Sequence, residues 1–236
     1  MSDENEQNAM TEKVVLLGES GVGKTSIIKQ FVHHAFDPDC ATSITSQYTS
    51  KIVNISETNK AIRFDLWDTA GQEKYRSLAR IFYKDARIII FVYDITTKKS
   101  FESIKEYWYK QVNQSCLSNA IFVLVGNKID LYLNSEVNDN EAMEYADSIG
   151  AIFQTTSAFT NKGIDVLFDH IGKKLLNPNY NYKSKSDIQK QLYEEKKVKQ
   201  IKKDDLEDED DNVKIPDIQK IKLNNNDTQK TNKKCC

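Results

Sequence analysis

The 236-residue sequence lacks an apolar run long enough to cross a lipid bilayer. Its longest apolar runs lie at Ile88–Val92 and Ala120–Val125, whereas a membrane-spanning helix needs about 20 consecutive apolar residues. The chain starts with the polar and acidic segment MSDENEQNAM, which has neither the basic nor the apolar region of a secretory signal. We therefore expect neither a membrane-spanning helix nor a secretory signal.

Cysteine is scarce, and neither sign of charge is in excess. The four cysteines, Cys40, Cys116, Cys235 and Cys236, are too few for a disulfide scaffold in a chain of this length, and two of them are the last two residues. This pattern predicts a reducing, cytosolic environment. Lys and Arg number 33 and Asp and Glu number 35, so the net charge of −2 offers no electrostatic argument for nucleic-acid binding.

Short apolar segments alternate with stretches of helical character over residues 12–176. The apolar segments are mostly β-branched and bounded by turn residues, which predicts buried strands. They lie at Lys13–Leu17, Ile62–Trp67, Ile88–Tyr93, Ala120–Val125 and Ala151–Phe153. The predicted helices lie at Thr25–His34, Ser100–Ser115, Asp139–Ile149 and Gly163–Leu176. This alternation is typical of a mostly parallel sheet with helices on both faces.

One pair of segments breaks this rhythm. Lys51–Ile55 and Ala61–Trp67 are separated only by the turn-like Ser56–Lys60, so they should pair as an antiparallel hairpin. The sequence therefore predicts an α/β fold with a six-stranded, mostly parallel sheet that contains one antiparallel strand.

The ends of the chain differ from its centre. We expect a flexible N-terminus over 1–11, one domain over 12–176, and a largely disordered tail over 177–236. The tail is rich in lysine and asparagine and contains the acidic block Asp204–Asp211, so it cannot bury enough apolar surface to offset the entropy of ordering.

A glycine-rich segment follows the first predicted strand. Gly18–Thr25 reads GESGVGKT and matches the phosphate-loop pattern G-x-x-x-x-G-K-S/T, with a strand before it and a helix after it. Glycines let the backbone curl so that its N–H groups point at phosphate oxygens, and the helix N-terminus adds partial positive charge. In this pattern Lys24 reaches the β- and γ-phosphates, and Thr25 offers its hydroxyl to Mg²⁺. The alternative is a glycine-rich turn without a ligand, which the spacing of the lysine and the hydroxyl disfavours.

A second motif concerns the base of the nucleotide. Asn127–Asp130 reads NKID and follows the predicted strand Ala120–Val125. A carboxylate at Asp130 can accept the two adjacent N–H donors of guanine, whereas adenine presents an acceptor at one of these places. An unpaired buried group costs about 1–3 kcal/mol, so the motif favours guanine nucleotides.

A third motif, DTAG over Asp68–Gly71, follows the second strand of the hairpin. Asp68 leaves a strand near the phosphate loop and fits a carboxylate that holds Mg²⁺ through a water. Gly71 can bring its backbone N–H to the γ-phosphate, and Gln72 can orient an attacking water. A structural alternative for Asp68 is the N-cap of the next segment.

These motifs, with FVYDIT at Phe91–Thr96 and TTSA at Thr155–Ala158, resemble small GTPases of the Ras superfamily over residues 10–176. WDTAGQEKYRSL at Trp67–Leu78 and the final Cys-Cys resemble the Rab branch, and Glu144–Ala158 is most similar to endosomal Rabs. The resemblance implies the P-loop NTPase fold with three α/β/α layers. It also implies binding of GTP or GDP with Mg²⁺ and hydrolysis of GTP.

The resemblance further implies roles for individual residues. Gln72 and Lys24 would be catalytic, and Thr25, Ser43 and Asp68 would hold Mg²⁺, the last of them through water. Nucleotide contacts are implied for Gly18, Ser20, Gly21, Val22, Gly23, Lys24, Thr25, Ser26, Ser43, Asp68, Gly71, Asn127, Lys128, Asp130, Ser157 and Ala158.

Three positions depart from the family pattern. Ser43 stands where a Thr normally binds Mg²⁺ and the γ-phosphate, and Thr42 is an alternative ligand. Thr45 stands where Rabs usually have Gly or Gln, and Phe159 replaces a Lys of the last base-binding loop. The departures motivate an alternative function, a GTP-binding scaffold of the same fold with little or no hydrolysis. A P-loop ATPase or nucleotide kinase is a further alternative, which NKID and DTAGQ disfavour.

Partners and a location are implied as well. Cys235 and Cys236 resemble the doubly geranylgeranylated Rab terminus, and two lipid chains anchor a protein stably. The implied partners are a prenyl transferase, a Rab escort protein, a GDP dissociation inhibitor, a nucleotide exchange factor, a GTPase-activating protein (GAP) and effectors of the GTP state. Switch I (Phe36–Tyr48) and switch II (Asp68–Phe82) would present effector contacts at the cytoplasmic face of a membrane, with the endosome favoured.

Overall fold

The computed structural model describes residues 9–38, 47–69 and 76–180 of the chain. Within these residues the strands are β1 (Met10–Leu17), β2 (Gln47–Asn54), β3 (Ala61–Asp68), β4 (Ile88–Asp94), β5 (Ile121–Asn127) and β6 (Ile152–Thr155). They form one sheet in the order β2-β3-β1-β4-β5-β6. β2 and β3 pair in antiparallel fashion, and the other neighbours pair in parallel. The predicted six-stranded sheet with one antiparallel strand is confirmed.

The helices in the described part of the chain are α1 (Lys24–His33), α2 (Arg76–Tyr83), α3 (Lys98–Ser103), α4 (Tyr109–Asn113), α5 (Asp139–Ser148) and α6 (Ile164–Leu176). A π-helical turn, Ile104–Trp108, joins α3 to α4, so these segments form one continuous helical stretch. A 3-10 helix covers Ile129–Asn134.

The sheet separates two apolar cores, because successive side chains of a strand point to opposite faces. On β1, Leu16 belongs to one core and Leu17 to the other, and both are fully buried. The first core is covered by α1 and α6, where the rings of Phe31 and Phe168 stack with centroids 3.6 Å apart. The second core is covered by α3, the π-helical turn, α4 and α5. The helices therefore form a layer on each face of the sheet, as the sequence predicted.

Some boundaries differ from the prediction. β1 begins at Met10 and pairs with β3 from that residue, so Met10 and Thr11 belong to the sheet and not to a flexible N-terminus. β2 begins at Gln47, four residues before the predicted start at Lys51. The prediction missed these residues because they show no apolar alternation. The helix α2 and the 3-10 helix were not predicted, since both are too short to show a clear helical period.

The C-terminal end of the described chain packs on α6. The hydroxyl of Tyr180 and Nδ1 of His170 are hydrogen-bonded at 2.6 Å, and Lys174 donates to the carbonyl oxygens of Pro178 and Tyr180. Residues 177–180 are thus part of the domain, whereas the predicted disorder of 181–236 lies outside the described residues. No helix in the described part of the chain has both the length and the apolar character that a bilayer span requires.

Candidate nucleotide-binding site

The phosphate loop joins the end of β1 to the start of α1, at the sheet edge where parallel strands end and ligands of open α/β sheets bind. Two of its glycines lie against neighbouring segments. A Cβ at Gly18 would lie 2.2 Å from the carbonyl oxygen of Val92, and one at Gly23 would lie 2.3 Å from Nδ2 of Asn127. Gly23 also has a φ of +97°, a conformation that side chains disfavour. Larger residues at these positions would displace the loop.

Lys24 is the first residue of α1 and only 5% exposed. Its ammonium donates hydrogen bonds to the carbonyl oxygens of Gly18 (2.9 Å) and Glu19 (2.8 Å). Burial lowers the pKa of Lys24 to about 8, although the carboxylates of Asp68 and Glu19 act in the opposite direction. An ammonium has three N–H donors, so Lys24 can hold the loop and still donate to a phosphate oxygen.

A hydroxyl and a carboxylate meet beside this lysine. Thr25 Oγ1 donates to Oδ2 of Asp68 at 2.6 Å, and Asp68 is buried at the end of β3. Hydroxyl and carboxylate oxygens are ligands that Mg²⁺ prefers, so this donor set fits the ion that the phosphate loop implies. A cavity of about 310 Å³ opens beside the pair and is also lined by Phe36. Thr69, the residue after Asp68, is not helical, so Asp68 is not a helix N-cap.

Asn127 connects the phosphate loop with the loop after β6. Its side chain is 1% exposed, and Nδ2 donates to the carbonyl oxygen of Val22 at 2.9 Å. Oδ1 accepts from the Thr156 hydroxyl at 3.1 Å and from the Ala158 N–H at 3.3 Å. The amide therefore faces the protein, and its effect on a ligand would pass through the two loops that it holds.

Lys128 and Asp130 lie on either side of the first residue of the 3-10 helix. Lys128 has a φ of +69°, and its ammonium pairs with Oδ2 of Asp94 at 2.7 Å. Asp130 is exposed, and its Oδ1 accepts from the Ser157 hydroxyl at 2.5 Å. A carboxylate has about four lone-pair sites, so Asp130 can accept this bond and two N–H donors of a guanine base.

The remaining predicted residues of the phosphate loop differ in their exposure to solvent. Ser20 and Gly21 are exposed, Val22 is buried, and Ser26 is partly buried in the first turn of α1. The loop therefore presents its outer residues to solvent and anchors itself through Val22.

Several predicted site residues lie outside the described part of the chain. They are Thr42, Ser43, Thr45, Gly71, Gln72, Cys235 and Cys236. Their roles in catalysis, Mg²⁺ binding, switching and lipidation stay predictions.

Sequence reasoning missed three polar residues that organise the site. Thr69 donates its hydroxyl proton to the carbonyl oxygen of Leu16 at 2.6 Å, and Asp94 holds Lys128. The carboxylate of Glu19 accepts from the indole N–H of Trp108 at 3.2 Å and from the hydroxyl of Ser103. The position of Asp94 at the end of a predicted strand could have identified Asp94 as a site residue. The partners of Glu19 are too distant along the chain for any local pattern to show.

Known proteins are similar to this sequence over most of its length. Residues 13–177 match the Ras family. Ras-related protein RabJ of Dictyostelium discoideum is 39% identical over 188 residues, which cover 79% of this chain and 72% of that protein. Ras-related protein Rab-22A of Homo sapiens is 40% identical over 172 residues, which cover 73% of this chain and 87% of the relative. Ras-related protein Rab-21 of Geodia cydonium is 38% identical over 173 residues, which cover 73% and 74% of the two chains.

The matched residues contain both ends of the site, from the phosphate loop after β1 to the loop after β6. This coverage and the identity to Rab proteins agree with the phosphate-loop and base motifs. The chain therefore belongs to the Ras family, in its Rab branch, and is a GTPase that hydrolyses GTP to GDP and phosphate.

Proposed function

We propose that this chain is a membrane-trafficking switch that hydrolyses GTP slowly by itself and recruits effectors in its GTP state. The observation that carries the nucleotide-binding part of the proposal is the buried amide of Asn127. It bonds to the phosphate loop at Val22 and to the loop after β6 at Ala158, so one side chain joins the two ends of the site. A nucleotide that spans both ends would contact two loops that this side chain links.

The phosphate end would work mainly by positioning and by charge. Lys24 would donate to the β- and γ-phosphates, and Thr25 and Asp68 would hold Mg²⁺, which neutralises charge between these phosphates when it is bound. Gln72 would orient the attacking water. The protein supplies little covalent chemistry in such a reaction, so the orientation of the water and stabilisation of charge decide its rate.

Slow hydrolysis follows from the composition of switch I. Residues 36–48 contain no arginine that could stabilise the transition state from within the chain. Ras, a relative, turns over at about 10⁻⁴ s⁻¹ alone and about 10⁵-fold faster when a partner supplies an arginine. We infer that a GAP supplies this group here.

The base end would select guanine. Asp130 would accept the two N–H groups of the base, and the stem of Lys128 would lie along its face. The ion pair between Lys128 and Asp94 supports this arrangement, because it limits the positions that the lysine stem can take.

An aromatic cluster near the switches supports effector recruitment. The ring centroids of Tyr48 and Trp67 are 5.3 Å apart, and those of Trp67 and Phe82 are 6.0 Å apart. Tyr48 is 50% exposed, while Trp67 and Phe82 are partly buried. Aromatic groups that are partly exposed are suited to protein contacts, and this cluster adjoins both switches. Core packing accounts for part of the Trp67 and Phe82 rings.

The location would follow from the end of the chain and from partners. Geranylgeranyl groups on Cys235 and Cys236, added by a prenyl transferase with a Rab escort protein, would anchor the chain to the cytoplasmic face of a membrane, with the endosome favoured. A GDP dissociation inhibitor would return it to the cytosol, and an exchange factor would reload it with GTP.

Identification of the bound nucleotide tests the base end. The purified, unlipidated protein is denatured, and the released nucleotide is separated by ion-pair chromatography. We expect stoichiometric GDP or GTP. Asp130→Asn should shift the preference toward xanthine nucleotides, because the amide can donate to the oxygen that replaces the exocyclic amine of guanine. Adenine nucleotide in the wild type would refute the assignment of Asp130.

Single-turnover hydrolysis separates the switch from the scaffold alternative. The wild type should hydrolyse bound GTP slowly, and Gln72→Leu should lower this rate further. Full stimulation by a GAP should require Gln72. Fast hydrolysis that Gln72→Leu leaves unchanged would refute the proposed mechanism, and GTP that persists even with a GAP would favour the scaffold.

A further inference from the structure

The carboxylate of Glu19 connects the phosphate loop to the helical stretch 98–113. Glu19 occupies a position that the phosphate-loop pattern leaves open, so the motif assigns it no role. Its Oε1 accepts from the indole N–H of Trp108 at 3.2 Å and from the hydroxyl of Ser103. Because α1 covers the first core and the helical stretch covers the second, these two hydrogen bonds tie the loop before α1 to the opposite helical layer.

The helical stretch has an unusual backbone where it makes this contact. In the π-helical turn Ile104–Trp108, backbone hydrogen bonds join residues five positions apart instead of four. In a regular α-helix, side chains five positions apart point about 140° apart around the axis, so Ser103 and Trp108 would diverge. The wider turn narrows this angle, and both donors reach one oxygen of Glu19. Such turns are rare and frequently lie at functional sites.

Glu19 also holds the lysine of the phosphate loop. Its carbonyl oxygen accepts from the Lys24 ammonium at 2.8 Å, beside the bond from the same ammonium to the carbonyl oxygen of Gly18. Lys24 is buried, so these carbonyls limit where its ammonium can lie. A displacement of Glu19 therefore displaces Lys24.

We propose that Glu19 is a positioning residue for GTP hydrolysis, which Trp108 and Ser103 hold so that Lys24 keeps its place at the phosphates. This inference rests on the proposed function, since it requires Lys24 to donate to the β- and γ-phosphates. The carboxylate acts through the backbone of the loop, by the two hydrogen bonds that it accepts. A neutral side chain that accepts the same bonds can therefore replace it.

Single-turnover hydrolysis tests this proposal, with the unlipidated full chain in excess over labelled GTP and with Mg²⁺. The rate then belongs to the bound complex and does not depend on the fraction of folded protein. Glu19→Met keeps the length of the side chain and removes the acceptor oxygens. It should slow hydrolysis about tenfold or more, because a misplacement of about 1 Å can cost about a hundredfold. Glu19→Gln keeps an acceptor oxygen and should be several times faster than Glu19→Met.

Glu136→Met is the matched control. The carboxylate of Glu136 accepts from the N–H of Lys98 at 2.9 Å, at the first residue of α3. The same substitution thus removes a hydrogen bond to the same helical stretch, but one that does not involve the phosphate loop. Its hydrolysis rate should stay within about twofold of the wild type.

Removal of the two donors gives an independent test. Ser103→Ala with Trp108→Phe deletes the hydroxyl and the indole N–H, and this double variant should slow hydrolysis about as much as Glu19→Met. Adding Glu19→Met should slow the reaction no further, because all three changes break one link. If loss of the indole prevents folding, Ser103→Ala alone should slow hydrolysis in the wild type and not in Glu19→Met.

The indole N–H signal of Trp108 reports the contact directly in nitrogen-15 spectra. The chain has two tryptophans, so Trp67→Phe leaves the signal of Trp108 alone and assigns it. The signal should move upfield in Glu19→Met and keep its position in Glu136→Met.

The outcomes separate the two proposals. A wild type that hydrolyses GTP slowly while Glu19→Met matches its rate overturns the role of Glu19 alone. Equal slowing by Glu136→Met, equal rates of Glu19→Gln and Glu19→Met, additive losses on removal of the donors, or an unmoved indole signal in Glu19→Met also overturn it. A wild type that binds no GTP overturns both this inference and the proposed function.

Discussion

Replacing Asn127 with alanine should loosen both ends of the nucleotide site through one buried change. The amide makes three hydrogen bonds, to the carbonyl oxygen of Val22 (2.9 Å), the hydroxyl of Thr156 (3.1 Å) and the N–H of Ala158 (3.3 Å). Thr156 is fully buried, and Val22 and Ala158 are nearly so. Truncation therefore leaves three polar groups without this hydrogen-bond partner in a region that water reaches poorly.

The expected cost can be worked from these bonds. A buried polar group that loses its partner costs about 1–3 kcal/mol, and the lower value applies here because one bond is long and the Thr156 hydroxyl can rotate. Three groups at about 1 kcal/mol each give a loss of about 3 kcal/mol of unfolding free energy. For a domain of this size, such a loss lowers the melting temperature by about 6–12 °C.

Urea unfolding at a fixed GDP concentration and the release rate of GDP measure the two effects. Asn127→Ala should lose about 3 kcal/mol from the broken hydrogen bonds, because three buried groups lose their partner. It should also release GDP at least tenfold faster, because the loops at Val22 and Ala158 are no longer tied, and the weaker binding adds about 1.4 kcal/mol to the loss at saturating GDP. Asn138→Ala is the matched control: this N-cap of α5 accepts from the N–H of Asn140 at 2.8 Å, outside the site. It should cost about 1 kcal/mol and leave GDP release unchanged. An Asn127→Ala protein with an unchanged release rate would refute the linking role.

Three other buried groups lead to further expectations. GDP affinity, measured by competition, should fall about fourfold from pH 7 to 8.5, because binding needs the charged form of Lys24 and its pKa in the free site is about 8. Lys24→Arg should remove this slope, since a guanidinium stays protonated; a persistent slope would exclude Lys24 as its source. Gly172→Ala should cost about 1–2 kcal/mol in urea unfolding, because its Cβ would lie 2.1 Å from Cδ1 of Ile55, and Ile55→Val should recover part of the loss. If the double variant loses the sum of the unfolding free energies that the two single variants lose, the two positions do not clash. Tyr93→Phe should keep or raise the melting temperature, since the hydroxyl is buried without a hydrogen-bond partner among the described residues. A loss of more than about 1 kcal/mol of unfolding free energy would show that the hydroxyl of Tyr93 has a hydrogen-bond partner.

Local patterns were sufficient for much of the fold. The glycines, lysine and hydroxyl of Gly18–Thr25 predict a phosphate loop because their roles depend on spacing within one turn. The strands were predictable because a buried parallel strand is a short apolar run, as Ile88–Asp94 is, with every position buried. The polar first residues of β2 and the short α2 carry no such period, and the sequence did not indicate them.

The contacts between distant segments were not predictable. The motif NKID indicates a base-reading carboxylate, but it does not show that Asn127 bonds to Val22. That bond exists because the order β1-β4-β5 brings the loop after β1 close to the end of β5. The contact of Glu19 with Trp108 depends in the same way on the positions of two segments that are far apart along the chain.

The sequence by itself determined the phosphate loop, the base motif, the alternation of strands and helices, and hence the α/β class. Each of these depends on residues that are neighbours in the chain. Tertiary structure alone decided that Asn127 joins the two ends of the site, that Asp94 holds Lys128, and that Glu19 contacts Trp108. These contacts depend on the strand order and on the packing of helices on both faces, which place residues together regardless of their separation in sequence.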